Sequence, residues 1–279
     1  MFAWKRQWRK DRESDRTVTT VEVRGPDAAL ARAIAADEIT ILFQPQIVPA
    51  TGRIVAVEAL ARWAGEPRPE QLFARAERAG LAERLSRHIQ RKAIQTVAGW
   101  AGPMAELRLS LNLLPQDVAR PGFERWLLAQ LGEAELPPAR LTMEITEGSL
   151  VDDRIAASAR LAQLRAAGVR IAIDDFGTGY SSLAYLSSLP LDTIKIDRGL
   201  IRDIVGGSRD RIVVKAMIRL ARELNLSVVV EGVESEAQLG LLAEWGCDLY
   251  QGFLGAVPLS EEELLFFIEA GRAEAACAA

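Results

Sequence analysis

Short apolar runs and longer amphipathic segments alternate along most of the chain. Pro26 and Asp27 open a helix over 28–37, and I-T-I-L-F at 39–43 reads as a strand ending at Gln44-Pro45. T-G-R at 51–53 is a turn, and I-V-A-V-E-A-L at 54–60 is a strand with Glu58 near its C-terminal end. Helices over 69–79 and 82–98 are rich in Ala, Glu, Arg and Leu. L-R-L-S-L-N at 107–112 alternates with period two and ends at Asn112. A helix over 121–131, closed by Gly132, precedes the strand A-R-L-T-M-E-I-T-E, which ends around Glu144 and Glu147. Asp152 caps the next helix and Gly168 stops it. A strand from Arg170 then reaches Asp174 and Asp175, and a short helix starts at Ser181. L-D-T-I-K-I-D at 191–197 is a strand carrying Lys195 and Asp197 late in its run. A helix over 209–224, a strand ending at Glu231, a helix over 235–245 and a strand ending near Gln251 follow. The last helix opens with a Ser-x-x-Glu box at Ser260.

This strand–helix rhythm repeats about seven times, which fits either a (β/α)₈ barrel or a doubly wound sheet. No glycine-rich nucleotide loop follows the first strand and no Walker lysine is present, which disfavours the second option. Glu58, Asn112, Glu144, Asp174, Asp175, Lys195, Glu231 and Gln251 all fall at C-terminal strand ends in this reading. Those ends line one rim of a barrel, where barrel active sites lie.

Composition narrows the chemistry. The 279 residues are 49% hydrophobic and 26% charged, which allows one large α/β domain or two small ones, and the strand–helix run is read as a single domain over 26–270. A net charge of -4 leaves no duplex-binding footprint. Cys247 and Cys277 lie far apart and make neither a disulfide framework nor a thiolate site. The single histidine, His88, sits in a charged helical stretch and reads as a surface residue. Any metal must therefore be held by oxygen ligands, which favours magnesium, manganese or calcium. No run reaches the length of a membrane span, and the reading places the protein in the cytoplasm. Residues 1–25 form a basic leader and linker, whose first 16 residues offer a weak contact for an acidic surface, and 271–279 form a tail.

The central stretch is R-I-A-I-D-D-F-G-T-G-Y at 170–180. Two adjacent aspartates at a strand end repel one another unless a cation sits between them. Carboxylates converging from five strands repeat the problem, and two divalent cations resolve it. Asp174 is the natural bridge. Glu58, Asn112 and Glu144 then serve one cation, and Asp175 and Glu231 the other. Lys195 orients the attacking water and offsets phosphoryl charge, while Gln251 holds a metal-bound water. The chemistry that suits this set is in-line hydrolysis of a phosphodiester. Taken singly, Asn112 reads equally as a turn cap, Glu144 and Glu147 as a solvated strand end, and Lys195 with Asp197 as a structural ion pair.

The same residues carry a resemblance. E-A-L at 58–60 lies in V-E-A-L-A-R-W, with F-Q-P-Q at 43–46, L-N-L-L-P at 111–115 and M-E-I-T-E at 143–147. I-D-D-F-G-T-G-Y-S-S at 173–182, I-K-I-D-R at 194–198, V-E-G-V-E at 230–234 and Q-G-F at 251–253 complete the series. In order and spacing the chain resembles the EAL-domain family of bacterial cyclic di-GMP phosphodiesterases over roughly 26–265. The resemblance implies a modified TIM barrel with an antiparallel first strand. It implies hydrolysis of cyclic di-GMP to linear pGpG with two magnesium or manganese ions, and inhibition by calcium. The family's metal ligands fall on Glu58, Asn112, Glu144, Asp174, Asp175 and Glu231, its lysine on Lys195 and its late glutamine on Gln251. Glu147 matches the residue that anchors the loop after the Asp-Asp strand, and Asp197 and Glu234 match further family positions. Gln44, Leu60 and Arg62 match substrate-side residues, with Arg62 against a phosphate. Homodimerisation through the loop and helix after Asp174-Asp175 is also implied.

Two departures stand out: A-G-E-P-R-P after R-W is short, and Ala256-Val257 replace a small hydroxyl and a cation. The family commonly carries an upstream sensory or cyclase domain, and residues 1–25 are too few for one. The alternative reading is a non-catalytic cyclic di-GMP receptor or a partner-binding module.

Overall fold

The structure is a computed structural model that describes residues 27–146, 154–177, 186, 188–207 and 209–278. Eight strands form a closed barrel in the order β1 to β8: Thr40–Ile47, Ile54–Arg62, Arg108–Leu113, Leu141–Thr146, Arg170–Phe176, Thr193–Ile196, Ser227–Val230 and Leu249–Tyr250. Strand β1 runs antiparallel to both β2 and β8, and every other neighbouring pair is parallel. The expected barrel with a reversed first strand is therefore found.

Among the described residues the α-helices are α1 to α10: Ala28–Ala35, Pro69–Arg78, Ala82–Ala98, Pro115–Ala119, Phe123–Glu133, Arg154–Ala166, Arg198–Ile201, Arg209–Glu223, Glu236–Trp245 and Glu261–Ala278. Their apolar faces bury against the outside of the barrel; Leu127, Leu161, Ile218 and Leu242 are each at most 1% exposed. A second, smaller core joins α1, α2 and the first half of α3 to the end of β2 through Leu30, Leu72, Leu85 and Trp63. Asp27 caps α1 by accepting from the Leu30 N–H at 3.0 Å, and its carboxylate also pairs with Arg75 of α2 at 2.5 Å. The Ser-x-x-Glu box is present: Ser260 N–H donates to Glu263 at 2.8 Å, and Glu263 N–H to Ser260 Oγ at 3.3 Å.

Several boundaries differ from the sequence reading. Strand β1 passes through Pro45 and ends at Ile47, because β1 pairs with β2 along its length and only the last residue faces β8. Glu58 consequently lies mid-strand, opposite Gln44, with four more residues of β2 beyond it. Gly132 lies inside α5 instead of closing it. The last helix runs on through Ala278, so 271–278 prolong it. The Asp152 cap and the Ser181 helix start fall outside the described residues. Among the described residues, no helix is long and apolar enough to cross a membrane.

Candidate active site

The strand register decides which side chains meet. Neighbouring parallel strands pair Glu58 with Ser110, Asn112 with Glu144, and Glu144 with Ala172. Side chains two apart share a strand face, so Asn112, Glu144, Asp174 and Lys195 all point into the lumen with Glu58. The polar half of the alternating β3 pattern is thus the inside of the barrel, not its surface.

Lys195 stands at the centre. It is 1% exposed, and its Nζ reaches Glu144 at 2.6 Å, Glu231 at 2.7 Å, Asp174 at 3.2 Å and Glu58 at 3.4 Å. Burial works against its charge, but Asp174, Glu144, Glu231 and Glu58 outweigh burial and raise its pKa well above the ordinary lysine value. Burial also drives Glu144 well above the ordinary glutamate range; Lys195 opposes that, and Glu58 and Asp174 add to it. Glu231 rises to about 7, chiefly through burial, with Lys195 opposing and Asp174 reinforcing. Glu58 goes the other way. Burial pushes it up, but Lys195 and hydrogen bonds from Gln251 and Asn112 bring it below its usual value.

A ring of amides fixes Glu58. Gln251 Nε2 donates to Glu58 Oε2 at 2.7 Å and to Gln44 Oε1 at 3.0 Å. Asn112 Nδ2 donates to the other oxygen, Oε1, at 2.9 Å. Gln44 in turn donates to the Ala256 carbonyl at 3.2 Å. That position contributes its backbone here, which any side chain would leave in place. Gln251 is aimed by Gly252, where a Cβ would run into the backbone of Val233.

The two aspartates face the site through a defect in β5. Its register with β6 shifts between Ile173 and Phe176, and Asp175 adopts a left-handed φ of 54°. The Asp175 N–H donates to Asp174 Oδ1 at 3.0 Å. Without the bulge, adjacent side chains would point to opposite faces. With it, carboxylate oxygens of Asp174, Asp175 and Glu231 all lie within 4.8 Å of one another. Burial and the Asp174 charge raise the Asp175 pKa. This is an all-oxygen donor set in mutual repulsion, which suits a hard divalent cation. Glu58 and Glu144 also bond Lys195, and Asn112 bonds Glu58.

Other sequence candidates sit at the edge. Arg62 ends β2, half-buried; its Nη1 bonds its own Ala61 carbonyl at 2.9 Å. Leu60 pairs with Leu42 of β1 and is half-buried. Asp197 follows β6 and caps α7 by accepting from Gly199 N–H at 2.8 Å. Glu234 precedes α9, and its N–H donates to Gln238 at 2.9 Å. Glu147 lies outside the described residues. His88 is half-buried on α3 and faces Asp37 at 3.2 Å. Gln46 was missed by the sequence reading: it bonds Gln251 Oε1 at 3.3 Å and Ser110 Oγ at 3.5 Å. Its period-two spacing from Gln44 on β1 was the available signal.

A closed barrel with acidic side chains converging at one rim is the architecture of metal-dependent barrel hydrolases. The profile of the EAL domain matches residues 27–258, and the chain belongs to that family. The bifunctional diguanylate cyclase/cyclic di-GMP phosphodiesterase MucR of Pseudomonas aeruginosa is 38% identical over 85% of this chain and 35% of its own length. A cyclic di-GMP phosphodiesterase of the same organism is 37% identical over 85% of this chain and 41% of its own length. The chain thus spans about a third to two-fifths of these relatives. A solved structure of the MucR phosphodiesterase in complex with cyclic di-GMP superposes with a TM-score of 0.78 at 37% identity, covering 84% of this chain and 97% of that one. The EAL domain of Mycobacterium smegmatis DcpA gives 0.72 at 33% identity, with the same coverage.

Proposed function

We propose that this domain hydrolyses cyclic di-GMP to linear pGpG at the β-strand rim. The single observation that carries the reading is the grouping of Glu58, Glu144, Asp174 and Glu231 around buried Lys195, beside the Asp174–Asp175–Glu231 cluster. MucR, whose solved structure contains cyclic di-GMP, supports the substrate.

Glu58, Asn112, Glu144, Asp174, Asp175 and Glu231 would hold two magnesium or manganese ions. Such ions, when bound, supply a nucleophilic water at neutral pH and stabilise charge on the phosphoryl oxygens. The protein's own groups do the rest. Gln251 and Asn112 clamp both oxygens of Glu58, which keeps that carboxylate ionised and aimed. Lys195 supplies fixed positive charge at the developing phosphoryl charge, in a site where burial strengthens it. Arg62 and Gln44 serve the substrate side, Arg62 by a guanidinium fork on a phosphate. Leu60 and Asp197 border the substrate, and Glu234 and Glu147 support the loops that frame it. Calcium, with its larger and looser shell, inhibits.

We also propose that the domain forms homodimers through the loop and helix after Asp174-Asp175. The apolar side chains Ile155 on α6 and Ile212 on α8, 85% and 72% exposed, support a covered face on the helices flanking β5 and β6.

The test is conversion of cyclic di-GMP to pGpG with magnesium, resolved chromatographically. Wild type should turn over. Glu58→Ala should lose at least about a hundredfold in kcat, the scale expected when a group acting on transition-state charge is removed. Binding without any turnover at high enzyme and metal would instead favour a receptor.

A further inference from the structure

At the opposite, N-terminal mouth of the barrel lies a cavity of about 940 Å³. Barrel interiors are ordinarily filled by layers of Val, Ile and Leu. Here the lower layers are Ser110, Thr142, Ala172, Thr193 and Ser227, all small and all lining the void. Glu144 forms its roof, and Phe267 and Ile268 of α10 form an apolar wall.

Three arginines converge on this mouth: Arg53 before β2, Arg108 opening β3 and Arg170 opening β5. Arg108 and Arg170 are half-buried. None of the three guanidiniums makes an ion pair or hydrogen bond with a described residue. Burial lowers the Arg108 pKa, and the charges of Arg170 and Arg53 lower it further. Three acids also line the cavity, and among the described residues none forms an ion pair with Arg53, Arg108 or Arg170. Glu144 is held by Lys195 at 2.6 Å, Asp248 accepts from Val228 N–H at 2.8 Å, and Glu106 acts on Arg140. The cluster therefore sets three guanidiniums, none with an ion-pair partner among the described residues, at a roomy, hydroxyl-lined chamber.

We propose that this mouth is a second ligand site, in which Arg53, Arg108 and Arg170 bind the phosphate oxygens of a small phosphate ester. Guanidinium forks pair in bidentate fashion with such oxyanions. A chamber of this size, part apolar and part polar, lies within the range of small-molecule sites. The Ser and Thr hydroxyls supply further donors, and the α10 wall takes an apolar portion of the ligand.

Calorimetric titration of the metal-free 279-residue chain with pyrophosphate tests this. The expected result is one bound pyrophosphate per chain, unchanged in Arg62→Ala at the opposite rim. Arg108→Ser/Arg170→Ser should weaken binding at least tenfold, with circular dichroism confirming the fold. Should that variant not fold, Arg108→Lys/Arg170→Lys keeps the charge, removes the fork, and should still weaken binding severalfold. Equal affinity in wild type and the arginine variants, or no binding at millimolar pyrophosphate as a merely water-filled void requires, overturns the proposal. Loss in Arg62→Ala alone places the anion at the catalytic rim and also overturns it. Citrate bound as tightly as pyrophosphate would overturn the phosphate assignment in favour of carboxylates.

Discussion

Lys195 keeps its charge because four carboxylates face it, and those carboxylates stay buried because it does. Removing one partner of a buried charge cluster leaves the rest uncompensated, at about 3–5 kcal/mol. Lys195→Met should therefore destabilise the metal-free protein by about that much in urea unfolding. Magnesium should restore a large part of the loss, since cations would then neutralise the same carboxylates. Restoration by magnesium to no greater extent than in wild type would contradict this. Glu231 gives a pH prediction. Its carboxyl lies at about 7, so below that pH a proton occupies the oxygen a cation would need. Divalent affinity should rise as pH increases through about 7 and fall on acidification, read by titration at pH 6 and 8. That these residues would gather at one place was legible in the sequence, because acidic and amide groups recur late in successive strands. The centrality of Lys195 was not, since spacing along the chain says nothing of which partners a side chain reaches across a lumen.

Elements are held in place by a few local devices. Asp27 caps α1 and ties it to α2 through Arg75, whose hydrogen bond is the largest influence holding the Asp27 carboxyl at about 2. Its folded pKa is depressed, so the stability it contributes is fully present above the ordinary aspartate range and is lost as pH falls toward about 2. Asp27→Ala should cost about 1 kcal/mol at neutral pH, in the range of lost helix caps, and the gap to wild type should close in acid. A gap that persists at acid pH would show that the side chain acts by packing instead. The longer helices were read from amphipathic spacing, a local signal, whereas Gly132 read as a stop yet lies inside α5, and the short helices Pro115–Ala119 and Arg198–Ile201 gave no pattern long enough to mark them. The bulge at Asp175 was not readable, since a left-handed φ at an aspartate depends on how β5 registers with β6. Likewise Pro45 read as a stop, yet β1 continues past it to Ile47.

On the scale of the whole molecule, the reversed β1 closes the ring by meeting β2 along its full length and β8 at one residue. Strand β8, only Leu249–Tyr250, completes the barrel and delivers Gln251 to Glu58. The rhythm of the chain implied a barrel, but two residues are too few for a pattern to mark a strand. The arginine-ringed cavity was invisible for a related reason: Ser110, Thr142 and Ser227 alternate with apolar residues just as a solvated strand face would. The carboxylates gathered on Lys195 are proposed to be a cation site. Anomalous scattering from a manganese-soaked crystal measures this most directly. The expected result is two peaks roughly 3.5–4 Å apart, with Asp174 contacting both and with Asp175 and Glu231 on one of them. No peak at the rim, with Lys195 still bonded to Glu144 and Glu231, would contradict a cation site there.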